Sequence, residues 1–84
     1  MYIRATIPQI KKAVREIPLI GWAEDNYLEV FITPKNTVPT LSSKPLSVKF
    51  YIWQSDEVKE ILYSEYRKHA KGEPHFYIWV GEND

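Results

Sequence analysis

Two segments of the chain carry apolar residues at the spacing of an amphipathic helix. The first has four aliphatic side chains that recur every three or four residues: Ile7, Ile10, Val14 and Ile17. Thr6 and Gln9 match a capping box at its start, and Pro8 suits a first turn, where its missing N–H is not needed. Pro18 ends this helix because proline cannot continue the hydrogen-bond pattern.

The second helical segment follows Ser55, which we interpret as its N-cap residue. Its apolar stripe continues along one side for about three turns: Val58, Ile61, Leu62, Tyr66 and His69. Gly72 is placed to end the helix in a left-handed conformation, and Pro74 follows it. This pattern predicts a helix that buries its stripe, with His69 partly buried near the end.

Three other segments alternate apolar and polar residues with the period of a strand, at residues 27–33, 46–53 and 75–80. One face of each segment, which we expect to pack against the helices, is aliphatic or carries phenylalanine: Leu28, Val30, Ile32, Leu46, Val48, Phe50, Ile52, Phe76, Ile78 and Val80. A short apolar run at residues 19–23 predicts the first strand of a hairpin. Residues 2–5 are a further candidate strand with a weaker pattern. The segment 34–45 contains three prolines and predicts a long connecting loop.

These elements predict one α+β domain over residues 1–84, built as a two-layer sandwich. Two helices are expected to pack on one face of a small, mostly antiparallel sheet of three or four strands. The predicted order of elements along the chain is α-β-β-(β)-α-β. The last strand–helix–strand unit requires parallel strands, either as neighbours or flanking another strand. If residues 2–5 form a strand, the element order resembles that of the ferredoxin-like plait, which is the alternative architecture.

The tetrapeptide Phe-Tyr-Ile-Trp occurs twice, at residues 50–53 and 76–79. With a period of two, Tyr and Trp of both copies point away from the predicted helices, so this second sheet face is also apolar. We predict that a partner binds there through six residues: Phe31, Lys49, Tyr51, Trp53, Tyr77 and Trp79. Tyr27, Glu29 and His75 are predicted on the same face.

Three explanations of this aromatic surface remain open at the level of the sequence. The proline-rich loop or the termini cover it, or the rings form cross-strand pairs and stay half exposed. Alternatively, it associates with a second copy or with another protein. In the third, it stacks on the bases of single-stranded nucleic acid. The segment 48–53 is similar to RNA-recognition sheets in having alternating aromatics after a lysine, but it lacks the glycines of that signature.

The amino-acid composition narrows the range of possible functions. Eleven basic residues balance eleven acidic ones, which argues against a strong footprint for duplex nucleic acid. The absence of cysteine excludes thiol catalysis and disulfides. His69, His75 and Glu73 surround one turn, but this spacing is more typical of coincidence than of a metal site. We therefore predict no catalytic residue, no metal and no cofactor.

The sequence has no apolar run long enough to cross a membrane and no signal-peptide pattern at its start, so a cytoplasmic location is expected. The function most consistent with these features is a small non-enzymatic protein–protein interaction module, acting as a regulator, inhibitor or adaptor and using the aromatic sheet face. The alternative is a single-strand nucleic-acid binder that uses the same face. An enzyme ranks third.

Overall fold

The computed structural model describes residues 1–18, 26–43 and 45–81. They form four strands and two α-helices in the order β1 (Tyr2–Ala5), α1 (Ile7–Arg15), β2 (Leu28–Pro34), β3 (Leu46–Phe50), α2 (Val58–Arg67) and β4 (Pro74–Trp79). A 3₁₀ helix (Ile52–Glu57) leads into α2. The predicted α+β architecture is confirmed. The candidate strand at Tyr2–Ala5 is present, whereas the strand predicted at residues 19–23 lies outside the described residues.

The four strands form one sheet in the order β1-β4-β2-β3, and all neighbouring strands run antiparallel. β3 and β4 are consequently parallel to each other and flank β2, as the last strand–helix–strand unit required. β1 and β2 flank β4 in the same way. The order of the elements along the chain is that of the ferredoxin-like plait, the alternative architecture. In the sheet, the two central strands are β4 and β2, and they run antiparallel.

The hydrophobic core lies between the helices and one face of the sheet. Most of the predicted inward positions supply it from the sheet, and the predicted stripes supply it from the helices. Two inward positions were predicted wrongly: Val80 lies beyond the end of β4 and is 38% exposed, and Ile52 lies in the 3₁₀ helix. Its buried members are Ala5, Ile10, Val14, Val30, Ile32, Phe50, Val58, Leu62, Tyr66 and Phe76. Among the described residues, Phe50 is the largest side chain that is fully buried. The strand period and the helix period therefore meet in a single core.

α1 begins as predicted. Thr6 is the N-cap residue, and its Oγ1 accepts a hydrogen bond from the Gln9 backbone N–H at 3.3 Å. The Gln9 side chain returns the contact, accepting from the Thr6 N–H at 2.8 Å. This reciprocal pair satisfies two amides that the helix itself leaves without partners.

The prediction that β3 continues to residue 53 is wrong. β3 ends at Phe50, whose partner Leu28 is the first residue of β2, so the ladder has no further strand to pair with. The chain then turns: the Tyr51 N–H donates to Gln54 Oε1 at 2.9 Å, and the Gln54 N–H donates to the Tyr51 carbonyl at 2.8 Å. Trp53 therefore lies in the 3₁₀ helix and not on a strand.

The predicted ends of α2 also need correction. Ser55 is not the N-cap, because it lies inside the 3₁₀ helix, which runs directly into α2 with Glu57 at the junction. α2 ends at Arg67, so His69 lies beyond the helix and its side chain is exposed rather than partly buried. Gly72 does have a positive φ of 97°, but it occupies the connection to β4 and not the helix end.

The packing makes a ranking of substitutions testable. Phe50→Ala should destabilise the domain by about 3–5 kcal/mol, because it empties a fully buried site. Trp53→Ala is the matched aromatic truncation at a position that is 60% exposed, and it should cost less than about 1 kcal/mol. Urea denaturation measures both. If Phe50→Ala unfolds the domain, the milder Phe50→Leu keeps the comparison measurable. A larger loss for Trp53→Ala than for either Phe50 variant would contradict the assignment of the core.

The N-cap gives a second ranking. Thr6→Ala should lower stability by about 1 kcal/mol, because the Gln9 N–H loses its acceptor. Ser55→Ala, which also removes one hydroxyl group but within the 3₁₀ helix, should stay within about 0.5 kcal/mol. Thermal melts of the two variants beside the wild type decide this. Equal shifts would mean that the Thr6 hydroxyl does not stabilise α1.

Candidate interaction surface

The helix-free face of the sheet is lined by aromatic side chains. We use the name aromatic face for seven residues on this face and at its end: Tyr2, Tyr27, Phe31, Tyr51, Trp53, Tyr77 and Trp79. The register explains why they gather. Directly paired residues of antiparallel strands point to the same side, and Tyr2 pairs with Trp79 while Phe31 pairs with Tyr77.

The centre of the aromatic face is a cluster of three rings in edge contact. The Tyr2 ring lies 4.9 Å from Trp79 and 5.0 Å from Phe31, between ring centroids, at interplanar angles of 81° and 86°. Edge-to-face contacts of this kind stabilise aromatic pairs beyond the area that they bury. Trp79 nevertheless remains 46% exposed, so this central cluster presents ring surface to solvent.

Tyr77 occupies a different position from the one expected. It lies on the helix-free face, between Phe31 of β2 and Arg4 of β1 in the register, but it is only 9% exposed. A side chain at the middle of a four-stranded sheet is shielded by its neighbours on adjacent strands. Tyr77 therefore offers a partner little surface.

A second cluster lies where β3 leaves the sheet. The rings of Tyr51 and Trp53 stack at a centroid distance of 5.0 Å with an interplanar angle of 6°, and Tyr51 is 6.1 Å from Tyr27. The Lys49 ammonium lies 4.7 Å from the centroid of the Tyr27 ring, within the range of a cation–π contact. Trp53 is 60% exposed and Tyr27 is 43% exposed.

A polar strip separates the two clusters. Glu29 of β2 and Lys49 of β3 are direct cross-strand partners. The Glu29 carboxylate accepts a hydrogen bond from the Ser47 hydroxyl at 2.9 Å. The prediction that both copies of the tetrapeptide lie in one sheet does not hold, because the first copy leaves β3 after Phe50. The aromatic face consequently consists of two patches with charges between them.

Of the six predicted partner-binding residues, five are exposed or partly exposed to solvent, and Tyr77 is the buried exception. The sequence pattern missed Tyr2 and Arg4, because only four residues of β1 carry the signal. The alternation within Tyr2–Ala5 does mark both residues as pointing the same way. β1 pairs with β4, which lies more than 70 residues later in the chain. The local periodicity of a segment does not predict such a distant pairing.

The proline-rich loop lies on the helix side of the sheet rather than over the aromatic face. Its residues Thr37, Pro39 and Ser43 line a cleft with Tyr66 of α2 and Leu46 of β3. Pro39 is buried there. The Thr33 hydroxyl, next to this loop, donates to the Thr37 carbonyl at 3.1 Å. At the opposite end of the sheet, the Met1 ammonium donates to the Val80 carbonyl at 2.7 Å.

The described residues contain no group of three metal-ligating side chains, and none of their helices is long and apolar enough to cross a membrane. The His69 imidazole lies 3.9 Å from the Glu65 carboxylate on the exposed side of α2. Comparison of the chain with protein-family models, with curated proteins and with solved structures gave no match. The geometry of the aromatic face is therefore the basis on which a function is proposed.

The central cluster can be tested by a double-mutant cycle. Tyr2→Leu and Trp79→Leu should be coupled by about 0.5–1.5 kcal/mol, because each change removes the same edge contact. Tyr2→Leu combined with Trp53→Leu is the matched control, since Trp53 belongs to the other cluster, and should be additive within about 0.5 kcal/mol. Equal coupling in the two cycles, measured by chemical denaturation, would show that Tyr2 and Trp79 do not interact specifically.

Proposed function

We propose that this chain is a small non-enzymatic interaction module whose aromatic face binds another protein or a second copy of the chain, in the manner of a regulator, inhibitor or adaptor. The observation that carries the proposal is the exposure of three aromatic side chains on or beside the sheet face that the α-helices leave uncovered. Trp79 of β4 is 46% exposed, Tyr27 just before β2 is 43% exposed, and Trp53 of the 3₁₀ helix is 60% exposed. Large exposed apolar patches on soluble domains mark interaction sites, and the two aromatic clusters are the candidates in this domain. The absence of cysteine in the sequence is consistent with a cytoplasmic location, which is part of the proposal.

The residue types support contact with a protein. Trp and Tyr dominate the energetics of protein interfaces because they bury large areas and lose little conformational entropy. Burying the exposed half of one such side chain removes on the order of 100 Å² from water and contributes about 2–3 kcal/mol. The strip of Glu29 and Lys49 between the clusters provides polar groups that can orient a partner.

Single-stranded nucleic acid is the second candidate partner, and one observation favours it. Phe31 and Trp79 lie on the two central strands, and the outer strands carry Arg4 and Lys49 on the same face. RNA-recognition sheets present stacking aromatics on a four-stranded sheet in a comparable way. The balanced charge of the whole chain works against this candidate, because strand binding depends on a positive groove.

The proposal predicts the behaviour of a charged double variant. Trp53→Lys with Trp79→Lys should leave the fold largely intact by circular dichroism, because the two side chains are 60% and 46% exposed and lie outside the core. It should abolish self-association or partner binding, since ammonium groups on the face are costly to desolvate in an interface. Sedimentation measures self-association, and affinity capture from the native host, with and without nuclease, measures partner binding.

The matched control is Val38→Lys with Leu41→Lys, which adds the same charge at loop positions that are 70% and 84% exposed. It should associate like the wild type. A wild type that is monomeric and captures no protein, together with unfolding of the tryptophan variant, would overturn the proposal and make the face a second core. Quenching of tryptophan fluorescence by oligonucleotides, weakening steeply with salt, would instead favour the nucleic-acid candidate.

A further inference from the structure

A cleft of about 260 Å³ opens at the edge of β4, beside the junction of β1 and α1. The pairing between β1 and β4 ends at Ala5 and Phe76, where the chain turns into Thr6 and α1. β4 begins two residues earlier, at Pro74, so Pro74 and His75 have β2 on one side and no strand on the other. The cleft occupies the space that a longer β1 would fill.

Three basic side chains and one carboxylate line this cleft, so basic groups predominate over acidic ones. Arg4 reaches it from β1, Lys35 from the turn after β2, and His75 from β4, while Glu73 is the one carboxylate in the lining. Within the described part of the chain, neither Arg4 nor Lys35 makes an ion pair within 4 Å. As far as the described residues are concerned, both cations can therefore contact an anion from solvent.

The electrostatics at His75 agree with this geometry. Partial burial lowers the pKa of the imidazole first, the positive charges of Arg4 and Lys35 lower it further, and Glu73 opposes them. The two cations thus act on the same point in the cleft. The first turn of α1 also lines it through Thr6 and Ile7, and the positive end of the helix dipole adds to the same potential.

We infer that this cleft is a binding site for a phosphate-type anion, held by Arg4 and Lys35 with the His75 imidazole as a hydrogen-bond donor. A guanidinium fork and a lysine ammonium are the side chains that best recognise phosphate oxygens, and two cations match a dianion better than a single carboxylate. The anion comes either from free phosphate or from the phosphate groups of a single strand that passes over the neighbouring aromatic face.

The His75 imidazole in the lining of the cleft can report the binding of an anion. A bound anion stabilises the protonated imidazole, so it must raise the pKa of His75, and by linkage the anion binds more tightly as the pH falls through that pKa. The groups facing His75 in this coupling are Arg4, Lys35 and Glu73. His69 provides an internal control, because its exposed side chain faces Glu65 after α2, outside the lining of the cleft.

The test is an NMR pH titration of both imidazoles with and without inorganic phosphate, at constant ionic strength. Sulfate is a parallel probe, because it stays a dianion throughout the titration. We expect the pKa of His75 to rise by at least about half a unit with either anion, and that of His69 to stay unchanged. Equal shifts at both histidines, or none at His75, would overturn the site.

Variants that remove a positive charge test whether the anion binds in this cleft. Arg4→Gln and Lys35→Gln should each weaken the anion affinity at least about fivefold, whereas Lys12→Gln, the same charge change on the exposed side of α1, should not. Backbone amide spectra check that each variant is folded. Unchanged affinity in both cleft variants would contradict the assignment. Trp53→Lys with Trp79→Lys should bind sulfate as the wild type does, which separates this inference from the fate of the proposed function.

Oligothymidylates with and without a 5′-phosphate distinguish the sources. A shift of the His75 pKa with both oligomers, together with tryptophan quenching, assigns the cleft to the backbone of a bound strand. A shift only with inorganic phosphate and the 5′-phosphorylated oligomer assigns it to a phosphate monoester. An equal shift with polyglutamate would show that the cleft responds to any polyanion and would overturn the inference.

Discussion

The structure depends on one constraint: its sheet has two apolar faces, and the helices cover one of them. Phe50, Val30 and Leu62 are fully buried where sheet and helices meet. The other face keeps its aromatic side chains, and their partial exposure follows from the number of layers rather than from loose packing. A domain this small has little further apolar area with which to build a second core.

The two copies of the tetrapeptide show how tertiary context decides the fate of identical segments. Phe50 and Phe76 have the same role, because each lies on a strand above the helices and enters the core. Beyond them the copies diverge. The second copy continues along β4 between two neighbouring strands, whereas the first loses its partner at Leu28 and turns into the 3₁₀ helix. Strand propensity is conditional on a neighbouring strand to pair with.

Position within the sheet also sorts the helix-free face by polarity. The central strands carry Phe31, Tyr77 and Trp79, with Glu29 as a charged exception, while the outer strands carry Arg4, Ser47 and Lys49, with Tyr2 as an aromatic exception. Charged side chains on edge strands discourage pairing with further strands, so association is directed to the face and away from the edges. The same arrangement brings Arg4 close to the cleft beside β4, so the cation cluster borders the aromatic face.

The local features could be predicted from the sequence, because their physics involves only near neighbours along the chain. These are the capping box of Thr6 and Gln9, the two buried helix stripes, the inward positions of the strands and the left-handed Gly72. Tertiary structure alone decided the strand order, the end of β3 at Phe50 and the meeting of Tyr2 with Trp79. Each of these depends on pairing between segments far apart in the chain, where the free energy of contact is set by the whole sheet and not by local periodicity.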